Sequence, residues 1–154
     1  MPKRRDQIHM SEQEMWDFIE SQKSLQVATL NRDGSPHLVT LWFAIVDGRI
    51  VMETFTKSQK VVNLERDPRI ALLLEDGEVY QELRGVSING TAELVKDVDA
   101  VHRLHVEVLK RNTPEIPVET LEQVSRGMAP KKTAIVVDTT KAMTWDHTKL
   151  GGIY

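Results

Sequence analysis

The 154-residue chain contains no cysteine, which removes disulfides, thiolate nucleophiles and cysteine-type zinc sites together. It has no long apolar run either. None approaches the roughly 20 residues that span a bilayer, and none follows the short basic head Pro2-Lys3-Arg4-Arg5 as a secretory signal requires. Neither sign of charge dominates: 20 lysines and arginines face 23 acids, for a net charge of −3, without the basic surplus that nucleic-acid binding needs. With 40% hydrophobic and 28% charged residues, the composition is that of an ordinary globular protein. These absences predict a cytoplasmic protein with no nucleic-acid and no membrane partner, folded as a single domain over residues 1–154. A chain of this length can bury roughly 70% of its unfolded surface around one core.

Signature motifs are also missing. There is no G-x-S-x-G elbow, no G-x-G-x-x-G after a strand and no G-x-x-x-x-G-K-[ST] loop, so the common nucleophile and nucleotide-binding devices are absent. His102 and His105 lie three apart on a predicted helix near Glu107, but without the H-E-x-x-H pattern they read as polar residues of a partly exposed helix. Glu75 and Asp76 fall at a predicted hairpin tip and read as solvated acids. No catalytic and no metal-binding residue is assigned.

What is present is a regular alternation of elements. Ser11 with Glu14 forms a capping box, and Met15, Trp16, Phe18 and Ile19 follow at helical spacing, which predicts a helix over Ser11 to Gln22. Asp33-Gly34 and Asp47-Gly48 then punctuate a run rich in β-branched residues, predicting strands over Leu25 to Asn31, Pro36 to Val46 and Arg49 to Thr54. The second is apolar on both faces around Leu41 to Ile45, the pattern of a central strand covered on each side. Further strands are predicted over Arg69 to Asp76 and Tyr80 to Val95, joined at Gly77, the second bending at Gly85 or Gly90. "DVDAVHRLHVEVLKRN" reads as a helix, "VETLEQVSRG" as a shorter one stopped by Gly127, and "KTAIVVDTTKAMTWD" as one or two strands. The fold class is therefore α+β: a six- to seven-stranded antiparallel barrel with flanking helices.

The stretch "TFTKSQKVVNLERDPR" (Thr54 to Arg69) holds the main chemical signal. Ser58 suits an N-cap, Val61 and Leu64 face inward, and Pro68 ends the helix. Lys57 and Lys60, however, stand where the helix dipole disfavours positive charge. An anion at that end would reverse the sign, because free amides, the hydroxyls of Thr56 and Ser58 and two ammonium groups all donate to it. On local chemistry a capped helix and an anion socket remain equally open.

In order and spacing, "VATLNRDGSPHLVTLWF", "TKSQKVVNLERDPR", "LRGVSINGTAELV" and "WDHTKLGG" resemble the pyridoxamine 5′-phosphate oxidase-like split-barrel superfamily, over nearly the whole chain. The last segment is most like its actinobacterial deazaflavin-dependent reductases. The resemblance implies an oxidoreductase that binds coenzyme F-420, with FMN as the alternative, and reduces an unsaturated small-molecule substrate. It places the cofactor phosphate against Thr54, Thr56, Lys57, Ser58 and Lys60, and the ring beside Val39, Thr40, Leu41 and Trp42. It also implies a homodimer with the cofactor at the interface, to which Trp145, His147 and Lys149 contribute, although Thr148 stands where relatives often carry a basic residue. A non-catalytic flavin or heme carrier is the competing reading, with His102, His105 and His147 available as heme ligands.

Overall fold

The computed structural model describes residues 1–152. After a single turn, α1 (Arg4–Gln7), helix α2 (Glu12–Ser21) starts where the capping box predicts. The Glu14 amide donates to the Ser11 hydroxyl at 3.1 Å, and the Ser11 amide donates to the Glu14 carboxylate at 3.0 Å. Phe18 and Ile19 are buried from this helix.

Seven antiparallel strands form one sheet: β1 (Ser24–Leu30), β2 (Pro36–Trp42), β3 (Ala44–Val46), β4 (Arg49–Phe55), β5 (Arg69–Asp76), β6 (Arg84–Val95) and β7 (Lys132–Asp146). Their spatial order is β2-β1-β5-β6-β7-β4-β3. The two outermost strands are thus two pieces of one run, separated only by Phe43. The sheet must curl until its ends meet at that residue, whose side chain is fully buried. This is the split barrel, and it is α+β as the sequence predicts.

The continuous central strand over Pro36 to Val46 is not formed. β2 pairs with β1 and β3 pairs with β4, so the run breaks where it passes from one end of the sheet to the other. β2 is consequently an edge strand with alternating exposure: Val39 and Leu41 pack against the core, whereas Leu38, Thr40 and Trp42 are exposed. At the β3–β4 turn, Asp47 and Gly48 both have positive φ (51° and 74°), the combination a two-residue type I′ hairpin demands.

Ile50, Met52, Ile135 and Val137 point into the barrel with Val27, Leu72 and Ile88. Their strand neighbours Val51, Glu53, Ala134 and Val136 occupy the other face of β4 and β7, since side chains alternate along a strand. Helices α4 (Val98–Asn112) and α5 (Val118–Met128) cover that outer face. α5 is not stopped by Gly127. That glycine is not left-handed and so supplies no C-cap; the helix ends at Met128 and passes into a 3-10 turn containing Pro130, whose ring cannot continue an α-helix. β6 begins at Arg84 rather than Tyr80, because Tyr80–Glu82 forms a 3-10 turn, and it bulges at Asn89/Gly90. A Cβ on Gly90 would lie 2.5 Å from the Asp138 carbonyl oxygen. The last strand is one piece of 15 residues. Among the described residues, no helix is long and apolar enough to cross a membrane.

Candidate anion and cofactor site

β4 ends on the pairs Thr54–Thr133 and Phe55–Lys132. The chain leaves the sheet there: the Thr56 amide donates to the Lys131 carbonyl and the Ser58 amide to the Phe55 carbonyl, each at 2.9 Å. Helix α3 (Gln59–Arg66) follows at once. The Thr56 and Thr133 hydroxyls meet at 2.8 Å, and the buried Thr54 hydroxyl lies 3.4 Å from that of Ser58.

Ser58 occupies the N-cap position with extended backbone, but its side chain does not cap the helix. The first intrahelical bond is Val62 N–H to the Ser58 carbonyl, so the amides of Gln59, Lys60 and Val61 precede the helix's own hydrogen bonds. The first turn holds no acid. Lys57 is exposed; Lys60 is half-buried, and burial pushes its ammonium below its ordinary pKa. No carboxylate pairs with Lys60 among the described residues. Uncapped amides, hydroxyls and an unneutralised ammonium therefore converge on one helix terminus, the donor set a phosphate ester requires.

Two residues that sequence reasoning missed fix this helix in place. Buried Asn63 donates to Thr29 Oγ1 (3.1 Å) and Asn31 Oδ1 (2.9 Å) and accepts from Gln59 Nε2 (2.8 Å). Arg66 donates to the Leu30 carbonyl. These bonds tie α3 to the end of β1, beside an open depression of about 580 Å³ lined by Asn31, Arg32, Asp33, His37 and Gln59. The signal available in the sequence is an asparagine between the inward-facing Val61 and Leu64.

The four β2 positions separate by face. Val39 and Leu41 turn inward, Thr40 and Trp42 outward, with Lys23 Nζ 5.8 Å from the Trp42 ring. What they share is backbone, and β2 has a sheet partner on one side only, so its other edge offers unpaired amides and carbonyls.

Within the chain, the closing segment does not reach the socket. Trp145 pairs with Gly85, twelve residues along β7 from Thr133, roughly 40 Å of extended strand. His147 Nδ1 lies 2.8 Å from the Tyr80 carbonyl, and the two rings meet edge to face at 4.6 Å. Lys149 donates to the His9 carbonyl and pairs with Glu14, both at 2.8 Å; this contact and the Ser11 bonds hold the Glu14 carboxyl down at about 2.

Two further sequence expectations are corrected. His102 and His105 are buried, not partly exposed, because α4 lies under α5 and both rings turn to Ser125. Asp76 is not simply solvated: Arg84 grips it with two nitrogens at 2.9 and 3.1 Å, and Gln22 donates to it at 3.0 Å.

A curled antiparallel sheet closed through a broken edge strand, with a donor-rich helix terminus at the barrel end, defines a split-barrel protein. Residues 11–146 match the family described as Pyridoxamine 5'-phosphate oxidase, and the chain belongs to that family. A conserved hypothetical protein from Mycobacterium tuberculosis is 42% identical, with 99% of this chain and 95% of that one covered and a TM-score of 0.90. An F-420 reductase (20% identity, 92% and 98% covered, TM-score 0.66) and a heme storage protein from Vibrio cholerae (16%, 87% and 94%, TM-score 0.66) share the fold. No curated protein sequence matches the chain.

Proposed function

We propose that the protein is an oxidoreductase that holds coenzyme F-420 by its phosphate at the start of α3 and reduces an unsaturated small molecule, with FMN the alternative for the same socket. The observation that carries this reading is Lys60, a half-buried ammonium without an acid partner among the described residues, placed where the helix dipole opposes it. An anion there turns three unfavourable features into donors at once. The F-420 reductase with the same fold supports the choice of a deazaflavin.

When bound, such a cofactor supplies the hydride chemistry, and the chain's own task is binding, orientation and exclusion of water. Ser58, Lys60 and the first-turn amides grip the anion, while Thr54 and Thr56 hold the turn in shape and Lys57 adds charge at the rim. The unpaired edge of β2 from Val39 to Trp42 offers backbone groups to a flat ring. Trp145, near the far end of β7, and His147 and Lys149, just beyond it, lie too far from Thr133 to serve the same socket and would serve that of a second copy. The exposed Leu38 (67%) and Trp42 (43%) on the edge strand are what a homodimer would cover. A heme carrier is less well supported. Two of the three candidate ligands, His102 and His105, are buried against Ser125, His105 at 1% exposure.

Titration of the purified protein with F-420 and FMN, followed by fluorescence quenching, and with heme, followed by its Soret band, tests the reading. Lys60→Met should weaken binding of the preferred cofactor about tenfold to a hundredfold, the loss of a charge-assisted bond. Tight FMN binding without F-420 binding would transfer the function to FMN; unchanged affinity in the variant would remove the socket.

A further inference from the structure

On the outer face of the sheet, beneath α4 and α5, runs a chain of polar groups that the barrel-end socket does not use. His102 Nδ1 lies 2.9 Å from Ser125 Oγ, and His105 Nδ1 lies 3.1 Å from the same oxygen. His105 Nε2 is 3.4 Å from Glu53 Oε1, and Lys132 Nζ is 2.5 Å from Glu53 Oε2. Ser125 and His105 are 0% and 1% exposed.

Proton accounting orders this chain. Glu53, paired with Lys132, offers only acceptor oxygens, and the His105 Nε2 that faces one of them presents its N–H. Burial pushes His105 below its ordinary pKa, which keeps the ring neutral and leaves its Nδ1 an acceptor. The Ser125 hydroxyl then has two acceptors, His105 Nδ1 and the His102 carbonyl at 3.3 Å, and with its proton on either one its oxygen accepts from His102 Nδ1–H. His102 is thereby fixed in the Nδ1–H tautomer, and its remaining ring nitrogen, Nε2, carries a lone pair.

His102 is the histidine that lines a cavity of about 530 Å³ between α4 and the β3–β4 hairpin. The cavity floor is apolar, formed by Val51, Val95, Val106 and Val136. Its charged lining consists of four acids (Asp47, Glu93, Glu107, Glu122) and two bases (Arg49, Arg103), a formal balance of −2. Arg49 is already committed to Glu93 and Asp138, each at 3.2 Å, and Glu107 to Lys110 at 3.0 Å, so Asp47 and Glu122 are the rim acids outside these pairs.

We propose that this cavity is a second ligand site, for a small apolar molecule carrying a primary amine, with His102 Nε2 as the hydrogen-bond acceptor and the acidic rim supplying charge complementarity. An apolar body fills the valine floor, an ammonium donates to the imidazole, and a carboxylate of the same shape is repelled by the acids and meets no donor at His102. The site stands apart from the proposed cofactor socket, since Glu53 and Thr54 point to opposite faces of β4.

Imidazole 15N NMR of the whole protein, with benzylamine and benzoate as isosteric probes, tests this. At neutral pH the wild type should show His102 protonated at Nδ1. Benzylamine at millimolar concentration should shift His102 Nε2, with benzoate binding at least about tenfold more weakly, a difference set by charge. Ser125→Ala should release the tautomer and weaken benzylamine several-fold. His102→Gln, which keeps an acceptor, should retain more affinity than His102→Phe. The same benzylamine affinity in Lys60→Met separates this site from the socket. A His102 protonated at Nε2, equal binding of benzoate, or no response to benzylamine would each overturn the proposal, and the wild-type measurements decide it even where a variant does not fold.

Discussion

Two residues show how single positions set the tolerances of this fold. Gly85 faces Trp145 across the β6–β7 ladder, and a Cβ there would lie 2.1 Å from the indole ring. Gly85→Ala should therefore cost about 1–3 kcal/mol by overpacking, measured as a lower denaturant midpoint, and Trp145→Leu in the same chain should recover part of it. Lys60 behaves in the opposite way. Its ammonium is partly desolvated without an acid partner among the described residues, so Lys60→Met should leave the cofactor-free protein as stable or slightly more stable while cofactor binding falls. A thermal melt with and without cofactor separates the two effects. A lysine that served the fold would lower both melts.

Between elements, long-range polar contacts take over from local propensity. Arg111 of α4 reaches the C-terminus of α2, donating to the carbonyls of Ile19, Glu20 and Gln22 at 3.3, 2.8 and 2.6 Å, with its guanidinium 4.1 Å from the Phe43 ring. It thus pins α2 to the break between β2 and β3. Replacing it by methionine keeps the stem and removes the donors, and should cost about 2–3 kcal/mol in chemical denaturation. The docking of α4 on β4 should depend on pH. The folded state holds His105 below its ordinary value of 6.5, by burial first and against the pull of Glu53. The unfolded chain therefore binds more protons just below that value, and stability is full above it and declines as pH falls. Melts between pH 7.5 and 5.5 should show this slope, and His105→Gln should flatten it.

The barrel as a whole closes because one strand is shared between the two ends of one sheet. That closure leaves β2 at an edge with Leu38 and Trp42 exposed, and an apolar edge strand invites a partner. Leu38→Glu should shift sedimentation from dimer to monomer and weaken cofactor binding with it, since the closing segment of one copy would complete the socket of another. A monomer with full cofactor affinity would confine the site to one chain.

The elements were largely legible in the sequence because their signals are local. The capping box places α2, Asp-Gly pairs place the turns, and the lysines against the dipole mark the start of α3. The amino-acid order by itself determined an antiparallel sheet of six to seven strands, the helices between them and the lysines and hydroxyls that stand at the start of α3. The tertiary structure alone decided that Phe43 breaks a strand in two and that two histidines are buried around Ser125. It also set Asn63 as the tie between α3 and β1 and kept Trp145, His147 and Lys149 away from Lys60 within the chain. Periodicity reports which face of an element is apolar, whereas these outcomes depend on which distant element meets that face, and only closing the barrel fixes that.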